Sequence, residues 1–336
     1  GAVSEEGFPK IGLKDTDGDD DTTDEASISG TFPATDPEGG PLTFAFGLPT
    51  TPLKSNGQVI QWVIENDVLF GYTGTGEGRI DIIRAEISGN GYTITLLGQI
   101  DHPDKTTEDV VSLQIPVIAT DVGGLSTTAN MTVRIEDDSP EADIYWNEGR
   151  LLLDETGTVE GEDDFFTGYG PALDSASGRV FWTDGSKTGG DVRGSSTTFS
   201  LELTGTGATT LQTTDGKAIS LHKVGEVIEG RTADGKVVFA IAVDEEGTMH
   251  VSQYLALKHP DKDDHDDALD LDGLINAVVT VVDGDGDKDV ARMDVGQHIV
   301  FRDDGPTLAE TLTFTAAEND ILNLRSEGSS PFSYEA

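Results

Sequence analysis

Short runs in which apolar and polar residues alternate, or in which Val, Ile and Thr predominate, recur along most of the chain. Among them are QVIQWVIEN, RIDIIRAEIS, GYTITLL, VVSLQIPVIAT, TTFSLELTG, KVVFAIAV and INAVVTVV. Each run is bounded by Gly, Asp, Asn or Pro, which favour turns, and the alternation has the period of a β-strand. Since no helical segments separate the runs, the pattern predicts an all-β chain of antiparallel β-sandwiches and disfavours an α/β fold.

Two stretches of the chain repeat the same order of landmarks. Each has a strand, the letters HPDK, an acidic stretch, a strand, an Asp/Gly turn, another strand and a closing Asp-Asp-(Ser/Gly)-Pro. The HPDK motifs begin at His102 and His259, and the closing prolines are Pro140 and Pro306. The repeat predicts two tandem β-sandwich domains joined by a short linker. The predicted divisions are 1–138 for the first domain, 139–306 for the second with its larger insertions, and 307–336 for the start of a further module or a C-terminal extension.

The strongly acidic charge of the chain narrows the classes of partner. Of 336 residues, 63 are Asp or Glu and 21 are Lys or Arg, so the formal net charge is −42. Such a surface repels nucleic acid, whose binding depends on basic side chains, and disfavours anionic membrane surfaces. We therefore expect no nucleic-acid partner and no membrane insertion by this segment.

The chain contains no cysteine, so disulfides, thiol nucleophiles and cysteine-based zinc sites are excluded. Bound metal is the obvious substitute for disulfides in an exported protein. The first residues, GAVSEEGFPK, have neither the basic nor the apolar region of a signal peptide. The chain is therefore expected to be cytosolic, an excised piece of a larger protein, or exported without a cleaved N-terminal signal. Its abrupt ends favour the excised piece.

Carboxylates are concentrated in two short runs, DTDGDDD at Asp15–Asp21 and DGDGD at Asp283–Asp287. Oxygen donors at alternate positions of a Gly-bent loop suit Ca²⁺, which takes about 6 to 8 oxygens, better than Mg²⁺, which keeps its waters. An EF-hand is disfavoured, because the sixth position counted from Asp283 is Lys288 rather than Gly. For each run taken alone, a solvated acidic turn is the simpler alternative.

Acids at matching places in both copies favour calcium over solvated turns. In each copy, acids lie near the start, in the hairpin turn and at the closing Asp-Asp. The closing acids of the first domain would then lie beside the opening and turn acids of the second, where a cation bridges them. The acidic turn within Thr35–Phe46 gives a similar signal, with a plain Pro-Gly turn as its alternative. The predicted ligands of several Ca²⁺ ions are Asp15, Asp17, Asp19, Asp21, Asp36, Glu38, Asp101, Asp104, Asp121, Asp137, Asp138, Asp154, Glu155, Asp261, Asp283, Asp285, Asp287, Asp303 and Asp304.

Neither the histidines nor the carboxylates indicate a catalytic site. His259 and His265 lie within one acidic loop, and the chain lacks GxSxG, HExxH and P-loop motifs. Carboxylates are so numerous that no pair identifies a glycosidase. We expect no catalytic residues and no enzymatic activity.

Three motifs resemble those of the long β-sandwich repeats of repeats-in-toxin (RTX) adhesins. They are the strand end DHPD or HPDK, the turn TDxGG or DGDGD, and the closing DD-(S/G)-P. RTX adhesins are giant bacterial surface proteins exported by type I secretion. The resemblance covers most of residues 1–306 and implies calcium-stabilised, immunoglobulin- or cadherin-like modules. It also implies a place on the extracellular bacterial surface, flanking modules of the same long chain, and a role in biofilm formation or adhesion. The second copy departs from the motif, because Lys258 stands where Asp101 precedes HPD in the first.

Within such an adhesin, the length and divergence of the two copies favour a ligand-binding region over a spacer. The second copy has an insertion with aromatic side chains among Gly, Ser and Asp, a composition that suits contact with peptides or sugars. The alternative is that these aromatics fill the sandwich core. We expect calcium-dependent binding of a cell-surface peptide or protein ahead of a glycan. A calcium-rigidified spacer and an accessory domain of a secreted hydrolase are the other possibilities. The candidate aromatics are Phe165, Phe166, Tyr169, Phe181 and Trp182, with Asp184 beside them.

Overall fold

The computed structural model describes residues 1–9, 12–14, 22–105, 108–155, 165–190, 192–261, 263–264 and 267–303. The predicted ligands Asp15, Asp17, Asp19, Asp21 and Asp304 lie outside these residues, as does the predicted extension at 307–336. The described residues form strands, turns and short 3-10 helices at Glu5–Gly7, Gly76–Gly78 and Gly296–His298, so the predicted all-β fold is confirmed. Within this described part of the chain, no helix is long and apolar enough to cross a membrane.

The strands of the N-terminal part form two main sheets and one small hairpin. The sheets have the orders β1-β11-β10-β3 and β2-β9-β8-β7-β6, and the hairpin is β4-β5. β1 and β11 are parallel, and the other neighbours are antiparallel. The strands are β1 (Ala2–Ser4), β2 (Ser27–Thr31), β3 (Thr43–Phe46), β4 (Lys54–Ser55), β5 (Gln58–Val59), β6 (Gln61–Glu65), β7 (Val68–Thr73), β8 (Ile80–Ser88), β9 (Gly91–Leu96), β10 (Val110–Thr120) and β11 (Ser126–Glu136).

The inward-facing residues of both sheets share one hydrophobic core. In β7 every second residue is buried, as expected for a strand with one face towards the core. Leu69, Ile83 and Ile94 of one sheet lie in the same core cluster as Leu113 and Ile135 of the other. All of them are 0–1% exposed. The alternation seen in the sequence therefore corresponds to burial on one face of each sheet.

The C-terminal part has a larger sheet, three smaller ones and a separate hydrophobic core. The larger sheet has the order β14-β21-β20-β19-β18-β17, and the smaller ones are β16-β23-β24, β13-β25-β22 and β12-β15. Its core cluster includes Leu153, Leu201, Phe239 and Phe301, and it shares no residue with the N-terminal cluster. The strands are β12 (Tyr145–Trp146), β13 (Leu151–Asp154), β14 (Asp174–Gly178), β15 (Phe181–Trp182), β16 (Ser196–Leu203), β17 (Ala208–Gln212), β18 (Ala218–Val224), β19 (Val227–Thr232), β20 (Val237–Val243), β21 (Met249–Gln253), β22 (Ala268–Asp270), β23 (Ile275–Val282), β24 (Lys288–Asp294) and β25 (Ile299–Arg302).

Each part ends in a long hairpin that follows its HPDK motif. In the N-terminal part β10 pairs with β11, and in the C-terminal part β23 pairs with β24 and β22 with β25. The second hairpin is interrupted where Leu271 and Gly296 approach closely, since a Cβ on Gly296 would lie 1.9 Å from the Leu271 carbonyl oxygen. In both parts the closing strand also pairs in parallel with a short early strand, β1 or β13. The repeated sequence thus adopts repeated local structure.

Candidate metal centre

The acidic turn between β23 and β24 is closed by its first carboxylate. Asp283 Oδ1 accepts hydrogen bonds from the backbone N–H groups of Gly286, at 2.8 Å, and Asp287, at 2.7 Å. Gly286 has a φ of 110°, a conformation that favours glycine. Because Asp283 holds the backbone of the turn, the side chains of Asp285 and Asp287 are available for contacts outside it.

Asp109 orders the loop that follows the first HPDK motif. Its Oδ1 lies 2.6 Å from His102 Nδ1, and its Oδ2 accepts a hydrogen bond from the backbone N–H of Asp104 at 3.0 Å. Its carbonyl oxygen accepts from the backbone N–H of Asp137 at 3.1 Å, just beyond β11. One residue therefore holds both the loop and the end of the closing strand, and His102 Nδ1 lies 3.8 Å from Asp137 Oδ2. Asp104, a predicted ligand, is exposed on this loop.

Hydrogen bonds join this loop to the acidic turn of the C-terminal part. The backbone N–H of His102 donates to Asp285 Oδ2 at 2.6 Å, and the Lys105 ammonium lies 2.5 Å from the same oxygen. Nearby, the backbone N–H of Gly190 donates to Asp138 Oδ2 at 2.7 Å. The structure thus brings the turn acids of the C-terminal part beside the closing acids of the N-terminal part.

Five side chains converge at this junction, and we call them the junction cluster: His102, Asp109, Asp137, Asp285 and Asp287. One ligand atom from each of Asp137, Asp285 and Asp287 lies within 4.8 Å of the other two, and the same holds for His102, Asp109 and Asp137. Oxygens at about 2.4 Å from a Ca²⁺ ion lie at most about 4.8 Å from one another. Both groups therefore have a spacing that suits ligands around one ion.

Several carboxylate oxygens here are buried with no hydrogen-bond donor among the described residues. They are Oδ2 of Asp137 and Asp283, Oδ1 of Asp285, and both side-chain oxygens of Asp287. Asp137, Asp283 and Asp287 are 2%, 2% and 1% exposed. Burying an ionised carboxylate without a partner is costly, so such groups bind a cation or take up a proton.

The electrostatics of the junction favour a cation over uncompensated carboxylates. Burial, together with the nearby Asp287 and Asp285 carboxylates, raises the pKa of Asp137 far above its ordinary value. Burial also raises the pKa of Asp283 to about 7 and the pKa of Asp287 to about 6. Burial lowers the pKa of His102, so its ring is neutral at pH 7 and offsets none of this charge. A bound divalent ion would stabilise the ionised form of these carboxylates, whereas proton uptake would neutralise them.

A cleft of about 570 Å³ opens beside the cluster, and His102 and Asp285 form part of its wall. Its lining includes His102, Lys105, Gly284 and the predicted ligand Asp101. Asp101 Oδ2 accepts a hydrogen bond from the backbone N–H of Gly57 at 2.8 Å, whereas its Oδ1 is buried without a donor among the described residues. Asp101 therefore lies at the edge of the candidate site.

The second HPDK motif repeats the loop geometry of the first. Asp267 Oδ2 accepts a hydrogen bond from the backbone N–H of Asp261 at 3.1 Å and lies 3.9 Å from His259 Nδ1. The carbonyl oxygen of Asp267 accepts from the backbone N–H of Asp303 at 3.0 Å. The predicted ligands Asp261 and Asp303 thus occupy a second loop of the same design, at the far end of the C-terminal part.

Three other predicted ligands form self-contained turns at the end of the N-terminal part that is remote from the junction. Asp36 accepts hydrogen bonds from the backbone N–H groups of Glu38, at 2.9 Å, and Gly40, at 3.1 Å. Asp121 Oδ1 accepts from the backbone N–H of Leu125 at 2.8 Å. The carboxylates of Asp36 and Asp121 hold their own turns, and the structure does not bring Asp36, Glu38 or Asp121 to the junction cluster.

Asp154 and Glu155 do not lie at the junction, and this corrects the expected placement. β13 runs parallel to β25, and Asp154 pairs with Arg302. The parallel strand therefore carries the chain to the far end of the C-terminal part before these acids occur. There, Glu155 Oε1 accepts a hydrogen bond from the backbone N–H of Leu257 at 2.7 Å.

Three of the candidate aromatics pack within the C-terminal part. Phe166 and Phe181 are 6% and 2% exposed. The Tyr169 hydroxyl donates to Glu229 Oε1 at 2.6 Å, and burial with this hydrogen bond raises the pKa of Tyr169 to about 12. For these residues the core-filling alternative describes the structure better than a contact surface.

Two candidate aromatics are exposed. Phe165 is 48% exposed and stacks on the ring of His250. Trp182 is 42% exposed and lies opposite Tyr145, also 42% exposed, on the β12-β15 ribbon. The Tyr145 hydroxyl donates a hydrogen bond to Asp184. Trp182, Tyr145 and Asp184 therefore form one small exposed surface.

Sequence reasoning missed Asp109 as a member of the site. Its signal is positional, because Asp109 directly precedes β10 just as Asp267 directly precedes β22. Glu5 was also missed: it is fully buried, and its Oε1 accepts a hydrogen bond from the backbone N–H of Ile100 at 2.6 Å. No spacing rule identifies Glu5, since its partner is 95 residues away.

A family model described as a domain of unknown function (DUF5801) matches residues 150–296, less than half of the chain. No curated protein matches the chain. Among solved structures, a protocadherin gammaB7 EC3-6 cis-dimer is 10% identical with a TM-score of 0.22, over 90% of this chain and 45% of its own. The protocadherin GammaB4 extracellular domain is 13% identical with a TM-score of 0.19, and the match covers 80% of this chain and 33% of that domain's chain. Drosophila N-cadherin EC1-4 is 12% identical with a TM-score of 0.17, and the match covers 80% of this chain and 51% of the N-cadherin chain. The chain thus spans between a third and about half of the length of these structures.

Proposed function

We propose that the chain is a pair of tandem β-sandwich domains from a large secreted bacterial adhesin, and that Ca²⁺ bound at their junction holds the two domains together. The observation that carries this proposal is the junction cluster. Asp137 from one part and Asp285 and Asp287 from the other each have a buried oxygen with no donor among the described residues, and one ligand atom from each lies within 4.8 Å of the other two. A cation between them turns a repulsive contact into an attractive one.

The donor set favours calcium over other common cations. The unpartnered atoms at the junction include carboxylate oxygens from Asp137, Asp285 and Asp287, and hard oxygen donors suit Ca²⁺. Zn²⁺ is disfavoured because it favours nitrogen and sulfur ligands, whereas the ligand atoms that Asp137, Asp285 and Asp287 bring together are all carboxylate oxygens. Mg²⁺ demands near-octahedral geometry and keeps several waters, which a buried site supplies poorly.

The adhesin assignment rests on the HPDK, DGDGD and DD-(S/G)-P motifs together with the charge and composition. A net charge of −42 and the absence of cysteine suit a protein that folds in extracellular calcium and uses ions instead of disulfides. Export by a type I system, a place on the bacterial surface and flanking modules of the same chain belong to this proposal. So does a role in adhesion or biofilm formation.

Small-angle X-ray scattering in millimolar Ca²⁺ and in excess EGTA tests the proposed junction. We expect calcium to give one extended, rigid particle and EGTA to give a broader distribution of distances between the two parts. Asp287→Asn should show the broader distribution of distances in both buffers. Asp36→Asn removes the same charge far from the junction and should scatter like the parent chain in each buffer. Identical scattering of the parent chain in both buffers would contradict the proposal.

A ligand-binding role is favoured over a pure spacer by the exposed surface of Tyr145, Trp182 and Asp184. Paired exposed aromatics beside a carboxylate suit a peptide or a sugar ring. Peptide and glycan arrays probed with and without Ca²⁺ separate the two roles. Binding that Trp182→Ala abolishes supports a ligand-binding domain, and an absence of binding on both arrays supports the spacer. Turnover of an array member would instead indicate the hydrolase accessory role.

A further inference from the structure

We propose that Lys105 competes with calcium at the junction and thereby sets the calcium concentration at which the two parts of the chain become firmly joined. This inference rests on the proposed function, because it concerns the regulation of the same site. Without calcium, the Lys105 ammonium neutralises one of the junction carboxylates. With calcium in the site, the ammonium leaves that carboxylate and moves into water.

Lys105 is the last residue of the first HPDK motif, and its side chain reaches the acidic turn of the C-terminal part. Its ammonium nitrogen lies 2.5 Å from Asp285 Oδ2, and the side chain of Asp285 is fully buried. The stem of Lys105 lies along the turn, since a Cβ on Gly286 would be 3.8 Å from Lys105 Cδ. The contact therefore holds one positive charge against the turn.

Lys105 is the counter-ion that the described part of the chain supplies to the junction. Among the described residues, no other Lys or Arg forms an ion pair with an acid of the junction cluster. Burial disfavours the charged form of Lys105, but the hydrogen bond to Asp285 and the negative charges of this and two further junction acids outweigh burial and raise the pKa of Lys105. The ammonium therefore remains charged at neutral pH.

One ammonium is an incomplete counter-ion for this cluster. Lys105 contacts a single oxygen, Oδ2 of Asp285. Buried oxygens without a donor among the described residues remain on Asp285 (Oδ1), Asp137 (Oδ2) and Asp287 (both side-chain oxygens). Ca²⁺ carries two charges and takes about 6 to 8 oxygens, so it offsets more of this negative charge than Lys105 does. Calcium at a sufficient concentration should therefore displace the ammonium.

The position of Lys105 allows its ammonium to move. The side chain is 38% exposed, and it lines the cleft of about 570 Å³ beside the junction cluster. A lysine ammonium is strongly hydrated and is carried on a flexible four-carbon stem. Rotation of that stem would place the ammonium in water while the backbone of the loop stays in place.

The competition has a magnitude that follows from the charges. A positive charge about 5 Å from a divalent ion weakens the binding of that ion by about tenfold, even at the dielectric constant of water. Loss of the Lys105 charge should therefore tighten calcium binding. In EGTA the same loss removes the counter-ion of Asp285, so it should lower the melting temperature. A side chain with a merely structural role would instead weaken the junction in both conditions.

Calorimetric titration of Ca²⁺ into the parent chain, Lys105→Met and Lys54→Met tests the proposal. Lys105→Met keeps most of the apolar stem, loses the charge, and should bind calcium at the junction about tenfold more tightly. Lys54→Met is the matched control, because Lys54 lines the same cleft. This control should bind calcium within about twofold of the parent chain, since Lys54 forms no ion pair with the junction acids among the described residues. In EGTA, scanning calorimetry should show a lower melting temperature for Lys105→Met and an unchanged one for Lys54→Met.

Chemical labelling of lysines provides a second measurement, made on the parent chain. An amine held in an ion pair reacts more slowly with acetic anhydride than an amine in water. Acetylation of Lys105, followed by mass spectrometry, should therefore rise by at least about threefold when calcium replaces EGTA. Lys54 should react equally in both conditions and serves as the internal reference.

The outcomes separate this inference from the proposed function. The inference is overturned if Lys105→Met leaves the calcium affinity of the junction unchanged, if Lys54→Met tightens binding equally, or if calcium does not raise the labelling of Lys105. Each of these results leaves calcium binding at the junction intact. A parent chain with no binding event that the double variant Asp137→Asn, Asp287→Asn removes would overturn the proposed function as well.

Discussion

Asp287→Asn should change the stability of the chain in opposite directions with and without calcium. Asp287 is 1% exposed, and one of its oxygens lies within 4.8 Å of oxygens from Asp137 and Asp285. Without calcium, the Asp287 and Asp285 carboxylates repel one another at that distance by about 3 kcal/mol at an effective dielectric constant of about 20. The neutral amide removes this repulsion, so at pH 8 in EGTA the variant should be more stable than the parent chain by up to that amount.

With calcium, the same change removes a ligand. Extracellular modules bind Ca²⁺ with dissociation constants of about 10⁻⁴ to 10⁻³ M. At about 10 mM Ca²⁺, one such site stabilises the folded chain by about 1.4 to 2.7 kcal/mol. For domains of this size, that corresponds to a rise of about 3 to 10 °C in melting temperature. Asp287→Asn should lose this part of the calcium-induced rise.

Differential scanning calorimetry of the parent chain, Asp287→Asn and Asp36→Asn in EGTA and in Ca²⁺ measures both effects. Asp36→Asn removes one charge from an exposed turn and should keep the full calcium-induced rise. An equal rise in melting temperature for all three proteins would refute the assignment of Asp287 to a calcium site. A lower stability of Asp287→Asn in EGTA would refute the charge-repulsion argument.

Three further predictions concern the junction and the cores. In EGTA the raised pKa values of Asp283 (about 7) and Asp287 (about 6) mean that the folded chain binds more protons than the unfolded chain between about pH 4 and pH 7. The free energy of unfolding, measured in urea, should therefore fall as pH rises through that interval. The stabilisation by calcium should grow over the same interval. A free energy of unfolding that rises in EGTA would contradict the pKa directions. Gly190→Val places a Cβ 3.0 Å from the Phe8 ring and 3.1 Å from the Glu5 carbonyl oxygen, so it should destabilise the junction by about 1 to 3 kcal/mol in thermal unfolding. Gly78→Val is the control, because a Cβ at Gly78 meets open space and should leave the stability unchanged. Phe301→Ala removes a fully buried ring from the C-terminal core and should lower the stability of that part by about 3 to 5 kcal/mol. Residue-resolved hydrogen exchange measures the loss in each part, and an equal loss in both parts would contradict separate cores.

The local features of the fold were predictable from the sequence. The run VVSLQIPVIAT predicted a strand, and in β10 it buries the alternate residues Leu113, Ile115 and Val117. The repeated HPDK and acidic-turn landmarks predicted equivalent places in the two copies. Asp109 and Asp267 make equivalent hydrogen bonds there. These features depend on residues close together in the sequence, where periodicity and turn chemistry decide the structure.

Long-range pairing was not predictable in the same way. Asp154 and Glu155 were expected at the junction, but the parallel pairing of β13 with β25 places them at the far end of the C-terminal part. Glu5 was missed because its hydrogen-bond partner, Ile100, is remote in the sequence. Which strand pairs with which depends on the topology rather than on the pattern within any strand.

The most direct test of the account is calorimetric titration of Ca²⁺ into the parent chain, Asp36→Asn and the double variant Asp137→Asn, Asp287→Asn. Asp137 and Asp287 come from the two sides of the junction and belong to one group of converging ligand atoms. We predict that the double variant loses at least one binding event with a dissociation constant of about 10⁻⁴ to 10⁻³ M, while Asp36→Asn binds like the parent chain. The same number of ions, bound with the same affinity by all three proteins, would show that the junction carboxylates do not bind calcium.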